Sequence, residues 1–139
     1  MFFQDTMEPM PDLAPRRLAE LRTLLLRHHK CLLDGERAVY ERDVAKIATT
    51  GQYLNLVMSD PHFAWLRELS QFIVEVDVAA SSRTPATDET AGRLLGEARK
   101  LLTPDEAGQG FARRYFEVLQ RDPEAALAHG EVLDALAKL

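Results

Sequence analysis

A recurring apolar spacing in the first third of the chain constrains the fold more than any other feature. Apolar residues fall three or four positions apart, or at sums of those steps: Leu18, Leu21, Leu25, Leu32, Val39 and Ile47. This spacing is typical of one stripe of an amphipathic helix, and no sustained alternation typical of a strand interrupts it. We therefore predict one long helix over residues 13 to about 46, with Asp12 as its N-cap.

Two Asp-Pro pairs mark later helix starts. Asp60 and Asp122 are good N-caps, and the proline after each suits the first helical position. We expect one helix over residues 61 to about 80 and another from residue 123 to the end of the chain. The first has two apolar faces, which predicts a central place in the bundle.

Three further segments complete the expected helices. A short apolar helix follows a break at residues 49–51, and Thr87 with two acidic residues after it opens another. Residues 103–106, Thr-Pro-Asp-Glu, match a capping box and predict a third start, although Gly108 and Gly110 leave its continuity open. The fold class expected is all-α, an antiparallel bundle of five or six helices. Residues 1–12 form an N-terminal tail and residues 13–139 a single domain.

Composition and charge argue against several classes of function. The chain has 139 residues and a formal net charge of −5, whereas nucleic-acid binders usually present a basic stripe. Its start lacks the basic and apolar regions of a signal peptide, and no apolar run approaches the roughly 20 residues that span a bilayer. The single cysteine, Cys31, fits a reducing compartment. We expect a cytoplasmic protein that binds neither nucleic acid nor membrane.

Two segments carry a resemblance to known proteins. Residues 60–67, Asp-Pro-His-Phe-Ala-Trp-Leu-Arg, and residues 110–115, Gly-Phe-Ala-Arg-Arg-Tyr, are followed by Gln-Arg-Asp-Pro at 120–123. In these segments the chain resembles a family of small all-helical bacterial proteins that is uncharacterised. The resemblance covers most of the chain and implies an all-α fold. It implies no activity, so no functional residue is carried over.

Acidic residues interrupt the apolar stripes. Asp43 and Asp77 each fall on a stripe, and Glu36 and Tyr40 share one side of the first helix with Asp43. We expect at least one of Asp43 and Asp77 to be buried against an arginine, with Arg114 as the expected partner, because an unpaired buried charge costs several kcal/mol. One alternative is an interior polar pocket, formed by the cluster Glu36, Tyr40, Asp43, Asp77 and Arg114, that binds a cation or a basic ligand, or performs acid–base chemistry. Another is a stripe that ends early and leaves the acids in solvent.

Metal and nucleophile patterns are missing from the sequence. No glutamate is followed three residues later by histidine, and no two histidines are four residues apart. His28 lies one turn before Cys31 and could serve as its base, but nothing supplies an oxyanion hole. We expect no metal and no cofactor, and we assign no catalytic residue. Whether the chain is an enzyme stays open, with a non-catalytic role favoured.

Surplus apolar surface indicates a protein-interaction role. The tail contributes Phe2 and Phe3, and the short second helix adds Leu54, Val57 and Met58. An uncovered patch of this kind normally marks a contact site, and a two-fold dimer is the commonest closed assembly. We expect an adaptor module that self-associates as a homodimer, with an unidentified protein partner also possible. The alternatives are a monomer whose tail and short helix cap the bundle, and a ligand-binding or enzymatic bundle that uses an interior acid–arginine pocket.

Overall fold

The computed structural model describes residues 13–139, and its regular elements in that range are seven helices and no strand. They are α1 Leu13–Asp43, α2 Thr50–Ser59, α3 Pro61–Ala64, α4 Arg67–Ala80, α5 Asp88–Leu101, α6 Gly110–Arg121 and α7 Pro123–Ala137. The all-α prediction is confirmed. The count exceeds five or six because the helix expected over residues 61–80 is two segments, α3 and α4. Phe2, Phe3 and the proposed cap Asp12 lie outside the described residues.

The long helix α1 organises the bundle. It packs against α3, α4, α5 and α7. Arg22 of α1 contacts Asp77 near the end of α4, whereas Glu36, further along α1, contacts Trp65 just before α4 begins. The contacts run in opposite order along the two helices, so α1 and α4 are antiparallel. Because α1 packs against four other helices, it occupies the central position that was expected for residues 61–80.

Regularly spaced leucines place α1 at the centre. Its buried positions repeat at three- and four-residue steps, and its buried leucines form one apolar cluster with residues of α4, α5, α6 and α7. The core includes Leu18, Leu21, Leu25 and Leu32 of α1; Leu69 and Val76 of α4; Leu94 and Ala98 of α5; Phe111 and Val118 of α6; and Val132 and Leu136 of α7.

A glycine in the middle of α1 makes room for the start of α7. A carboxylate oxygen of Asp122, Oδ2, lies 2.7 Å from the position that a Cβ on Gly35 would take. The other oxygen, Oδ1, accepts hydrogen bonds from the backbone N–H groups of Glu124 and Ala125 and so caps α7. Gly35 thus permits a close helix neighbour at this point.

The predicted helix start at residues 103–106 is wrong. The Thr103 hydroxyl donates to the carbonyl of Arg99 at 2.7 Å, one turn earlier, and so satisfies the end of α5. Asp105 Oδ1 accepts from the backbone N–H of Ala107 at 3.0 Å and shapes a loop. The next helix begins only at Gly110, whose φ of +60° suits a glycine. Thr103, which could cap a new helix, instead hydrogen-bonds to the end of α5.

Two other boundaries differ from the predictions. Leu66 donates its backbone N–H to the carbonyl of Phe63 at 3.1 Å, a tighter turn that divides the expected helix over residues 61–80. The first helix ends at Asp43 rather than near residue 46. There the N–H groups of Val44 and Ala45 both donate to the carbonyl of Tyr40, which terminates the regular hydrogen-bond pattern.

Candidate functional site

A buried carboxylate joins several helices at one end of the bundle. Glu36 follows Leu32 by one turn on the buried stripe of α1 and is only 1% exposed. Its Oε2 accepts hydrogen bonds from Trp65 Nε1 at 2.8 Å and from Arg114 Nη2 at 3.2 Å. Its Oε1 accepts from Arg121 Nη2. Two guanidinium groups and an indole N–H offset the cost of removing this charge from water.

Two aromatic residues close one side of this Glu36 cluster. His62 Nε2 lies 2.8 Å from the backbone carbonyl of Glu36. A carbonyl only accepts, so Nε2 carries the ring proton and donates it. The same nitrogen is 3.9 Å from Glu36 Oε2. The Tyr40 ring lies 5.5 Å from the His62 ring, centroid to centroid, so Tyr40 borders the cluster through His62.

The outer side of the Glu36 cluster is basic and partly open to solvent. Arg114 and Arg121 are both partly exposed, and Arg114 also contacts Glu117 at 3.4 Å. The neighbouring Arg113 lies on the surface and pairs with the same Glu117. The tandem arginines therefore divide into one interior partner and one surface charge. Both oxygens of Glu36 bind protein side chains, an arrangement suited to holding helices together.

Asp43 and Asp77 are exposed, so the prediction that one of them is buried against Arg114 is wrong. Their side chains are 52% and 54% exposed, and they pair instead with Arg42 and Arg22. Asp77 lies beside Arg22 and Asp43 is 21 residues further along α1, about 30 Å at helical rise. The two acids therefore cannot share one pocket. The hydrogen bond from Arg42 is the main reason that the pKa of Asp43 is lowered.

Asp43 and Asp77 are exposed for different physical reasons. The contacts of α1 with α3 continue as far as Tyr40, which packs against His62 and Phe63, so only the last residues of α1 extend beyond them. Asp43 continues the sequence stripe there, but its side chain is exposed and pairs with the adjacent Arg42. In α4 the buried residues are Leu69, Phe72, Ile73 and Val76. Asp77 lies at the rim of that stripe, where its carboxylate reaches Arg22 across the surface.

A second group of hydrogen-bonded side chains lies deeper in the bundle. The Tyr115 hydroxyl is 2.7 Å from His28 Nε2 and 2.6 Å from His129 Nδ1. A hydroxyl has one proton, so it donates to one ring and accepts from the other. Burial, reinforced by the nearby rings of His129 and His29, lowers the pKa of His28 to about 4. Burial also raises the pKa of Tyr115. Within residues 13–139, His28 Nδ1 has no hydrogen-bond partner.

Sequence reasoning placed Glu36 and Arg114 in one cluster but missed three of its members. Arg121, Trp65 and His62 complete the contacts around the carboxylate. One signal was available, since Arg121 follows Arg114 by seven residues and so lies on the same side of α6. Nothing comparable in the sequence pointed to Trp65, whose approach depends on the turn between α3 and α4.

The described residues contain neither a metal-ligand cluster nor a membrane-spanning helix. Among residues 13–139, no group of three or more His, Cys, Asp or Glu side chains is placed to hold a metal ion. None of the helices described there is both long enough and apolar enough to cross a membrane.

Comparison of the chain with protein-family models, with curated proteins and with solved structures gave no match. This outcome is consistent with the resemblance noted in the sequence, which implies no activity.

Proposed function

We propose that this protein is a non-catalytic interaction module that self-associates as a homodimer through α2. The observation that supports the proposal is the character of α2 itself. This ten-residue helix has no charged side chain, yet it contributes no buried residue to the described part of the chain. Leu54 and Met58, one turn apart on α2, are 54% and 73% exposed. We call this pair the α2 surface.

The inner side of α2 is already anchored to the bundle. The Tyr53 ring lies 6.0 Å from the Phe63 ring, centroid to centroid, and the Arg37 guanidinium carbon is 4.5 Å from the Tyr53 ring centre. These contacts fix α2 against α1 and α3 through Tyr53. The α2 surface is left facing outward, as expected of a helix that presents an apolar contact to a partner.

The lack of charge on α2 makes it the helix through which two copies can meet. The chain has a formal net charge of −5, so two copies repel each other on average. Two α2 helices can pack together without placing like charges opposite each other. A two-fold axis would use the same surface on both chains. The remaining alternative is that a different protein binds to α2, which the solution mass of the chain distinguishes from a dimer.

The ligand-binding alternative has less support. It requires a polar pocket, but both oxygens of Glu36 are engaged by Trp65, Arg114 and Arg121. The other two acids proposed for the pocket are far apart on the surface. We also propose a cytoplasmic location, which the single free thiol of Cys31 supports.

Light scattering over a range of micromolar concentrations tests the dimer. We expect the wild-type mass to rise from one chain to two as concentration increases. The double variant Leu54→Glu/Met58→Glu should stay monomeric, because a dimer would bury four carboxylates at its centre. Val78→Glu is the matched control, since Val78 on α4 is 65% exposed.

Circular dichroism establishes that each variant keeps its helices. A wild-type mass that stays at one chain at every concentration would refute the dimer. A dimer that survives both substitutions in α2 would refute α2 as the interface. If instead the wild type is monomeric and α2 captures another protein, the interaction role stands and the homodimer does not.

A further inference from the structure

A long groove runs between α1 and α7 on the surface. It consists of three adjoining openings of about 540, 610 and 530 Å³. The first two share Leu24 and Ala135, and the first and third share Cys31 and Glu124. They are therefore one continuous feature, which we call the α1–α7 groove. None of its lining residues belongs to α2, so an α2 dimer leaves it available.

The length of the groove indicates the kind of occupant. On the α1 side it extends from Ala19 to Arg42, 23 residues further on, or about 35 Å of helix. A ligand of drug size fills only one of the three openings. A helix of about 20 residues, about 30 Å long, covers most of the groove.

The lining of the groove is apolar at its floor. The apolar side chains there come from α1 and α7: Leu24, Val39, Leu127, Ala128, Val132 and Ala135. Leu127 is 67% exposed, so an apolar side chain is already available to a partner. This lining suits the apolar stripe of an amphipathic helix.

The rim of the groove is acidic over the first two openings. Carboxylates outnumber basic groups there, with Glu20, Glu124, Glu131 and Asp134 against Arg27 and Lys138. Burial is the main cause of the raised pKa of the Cys31 thiol, and the carboxylates of Asp122, Glu124, Asp34 and Glu131 raise it further. The floor at Cys31 therefore lies in a negative potential, which favours a cationic occupant.

We propose that the α1–α7 groove binds a basic amphipathic helix of a partner protein. The apolar stripe of that helix lies on the floor beside Leu127. Its lysine or arginine side chains pair with the carboxylates on the α7 rim, Glu124, Glu131 and Asp134. This surface is separate from the α2 surface, so the groove can be occupied whether or not the protein dimerises.

A synthetic peptide and the single thiol provide the test. The probe is a peptide of about 18 residues built from Leu, Ala and Lys, with leucines at three- and four-residue steps. The Cys31 side chain lines the groove and is the only thiol of the chain. We expect the peptide to slow the reaction of Cys31 with an uncharged thiol reagent, and titration calorimetry to give a saturable isotherm at one site.

Substitutions in the groove sharpen the test. Leu127→Glu and Glu131→Lys should each weaken peptide binding about tenfold, the first through the floor and the second through the rim charge. Val78→Glu is the control, because Val78 is as exposed as Leu127 but lies on α4. Its affinity should match that of the wild type.

Three results would overturn the proposal. The first is no protection of Cys31 by the peptide. The second is equal protection by a peptide of the same composition with its leucines scrambled, which would show attraction of charge without recognition of a helix. The third is full protection of Cys31 by a small alkylammonium ion that the peptide cannot displace.

Discussion

The helices α1 and α2 differ in composition and in burial, and the difference runs against a simple hydrophobic rule. α1 is rich in arginine and glutamate, yet it buries seven residues, including Glu36. α2 has no charged residue and buries none within the described range. Burial follows from a stripe that is long enough to meet several neighbours. An apolar helix with a neighbour on one side only keeps its other side exposed.

The largest expected effect comes from truncating one leucine in each helix. Leu25 of α1 is fully buried, so Leu25→Ala should lower the free energy of unfolding by about 4 kcal/mol through lost burial and a cavity. Leu54→Ala in α2 should cost less than about 0.5 kcal/mol, because that side chain is exposed in one chain.

Urea denaturation at a concentration that keeps the chain monomeric makes this comparison. The low concentration matters because self-association would add its own stabilisation to α2. Equal losses for the two variants would contradict the assignment of α1 to the core and of α2 to the surface.

The sequence predicts a helix best where its signal is local and repeated. The stripe of α1 from Leu18 to Leu32 and the Asp60 and Asp122 caps depend only on residues a turn apart, and these predictions are confirmed. Ile47, the last residue of the predicted stripe, is buried but lies beyond the end of α1. The expected start at residues 103–106 failed because Thr103 can cap the preceding helix as well as open a new one. Local chemistry does not distinguish these two uses.

At the candidate site, too, the sequence predicted local features and missed those that depend on how the helices pack. The sequence placed Glu36 on a buried stripe of α1 and named Arg114 as the expected partner of Asp43 or Asp77, whereas the structure pairs Arg114 with Glu36. It could not exclude Asp43 or Asp77, because a stripe tells which side of a helix faces inward but not where the neighbouring helices end. Trp65 was missed because its position depends on a turn between helices.

The next effect contrasts a buried acid with an exposed one. Glu36→Ala should cost about 3 kcal/mol, since it leaves Arg114 and Arg121 without their shared carboxylate and leaves the Trp65 N–H unpaired. The two arginines are partly exposed, so water limits the loss. Asp77→Ala should cost about 0.5 kcal/mol, because its pair with Arg22 is on the surface.

Thermal unfolding at neutral pH measures both losses. Glu36→Gln is a useful control, because the amide keeps the volume and can still accept a hydrogen bond from Trp65 while the charge is removed. We expect its stability to lie between those of the wild type and Glu36→Ala. A larger loss for Asp77→Ala than for Glu36→Ala would contradict the assignment of Glu36 as the interior acid.

The smallest expected effect is the pH dependence of the free energy of unfolding on the acid side of neutrality, to which α1 contributes and α2 does not. His28 of α1 has a pKa of about 4 in the folded chain, chiefly because of burial, against an ordinary value of 6.5. Between these values the unfolded chain binds the proton and the folded chain does not, so acid favours unfolding. The free energy of unfolding should fall by about 2 kcal/mol between about pH 7 and pH 5 from this residue alone. α2 contains no group that titrates in this window.

The variant His28→Gln isolates this contribution. Glutamine can still pair with the Tyr115 hydroxyl, but it cannot take up a proton. Its free energy of unfolding should therefore vary less with pH than that of the wild type, by about 2 kcal/mol over the same window. The remaining slope comes from other groups, including His29 and His129, whose pKa values are also lowered by burial. Urea denaturation at several pH values measures the slope. Parallel curves for the two proteins would mean that His28 takes up its proton as readily in the folded chain as in the unfolded chain, and that the α1 stripe accepts a buried charge at this position.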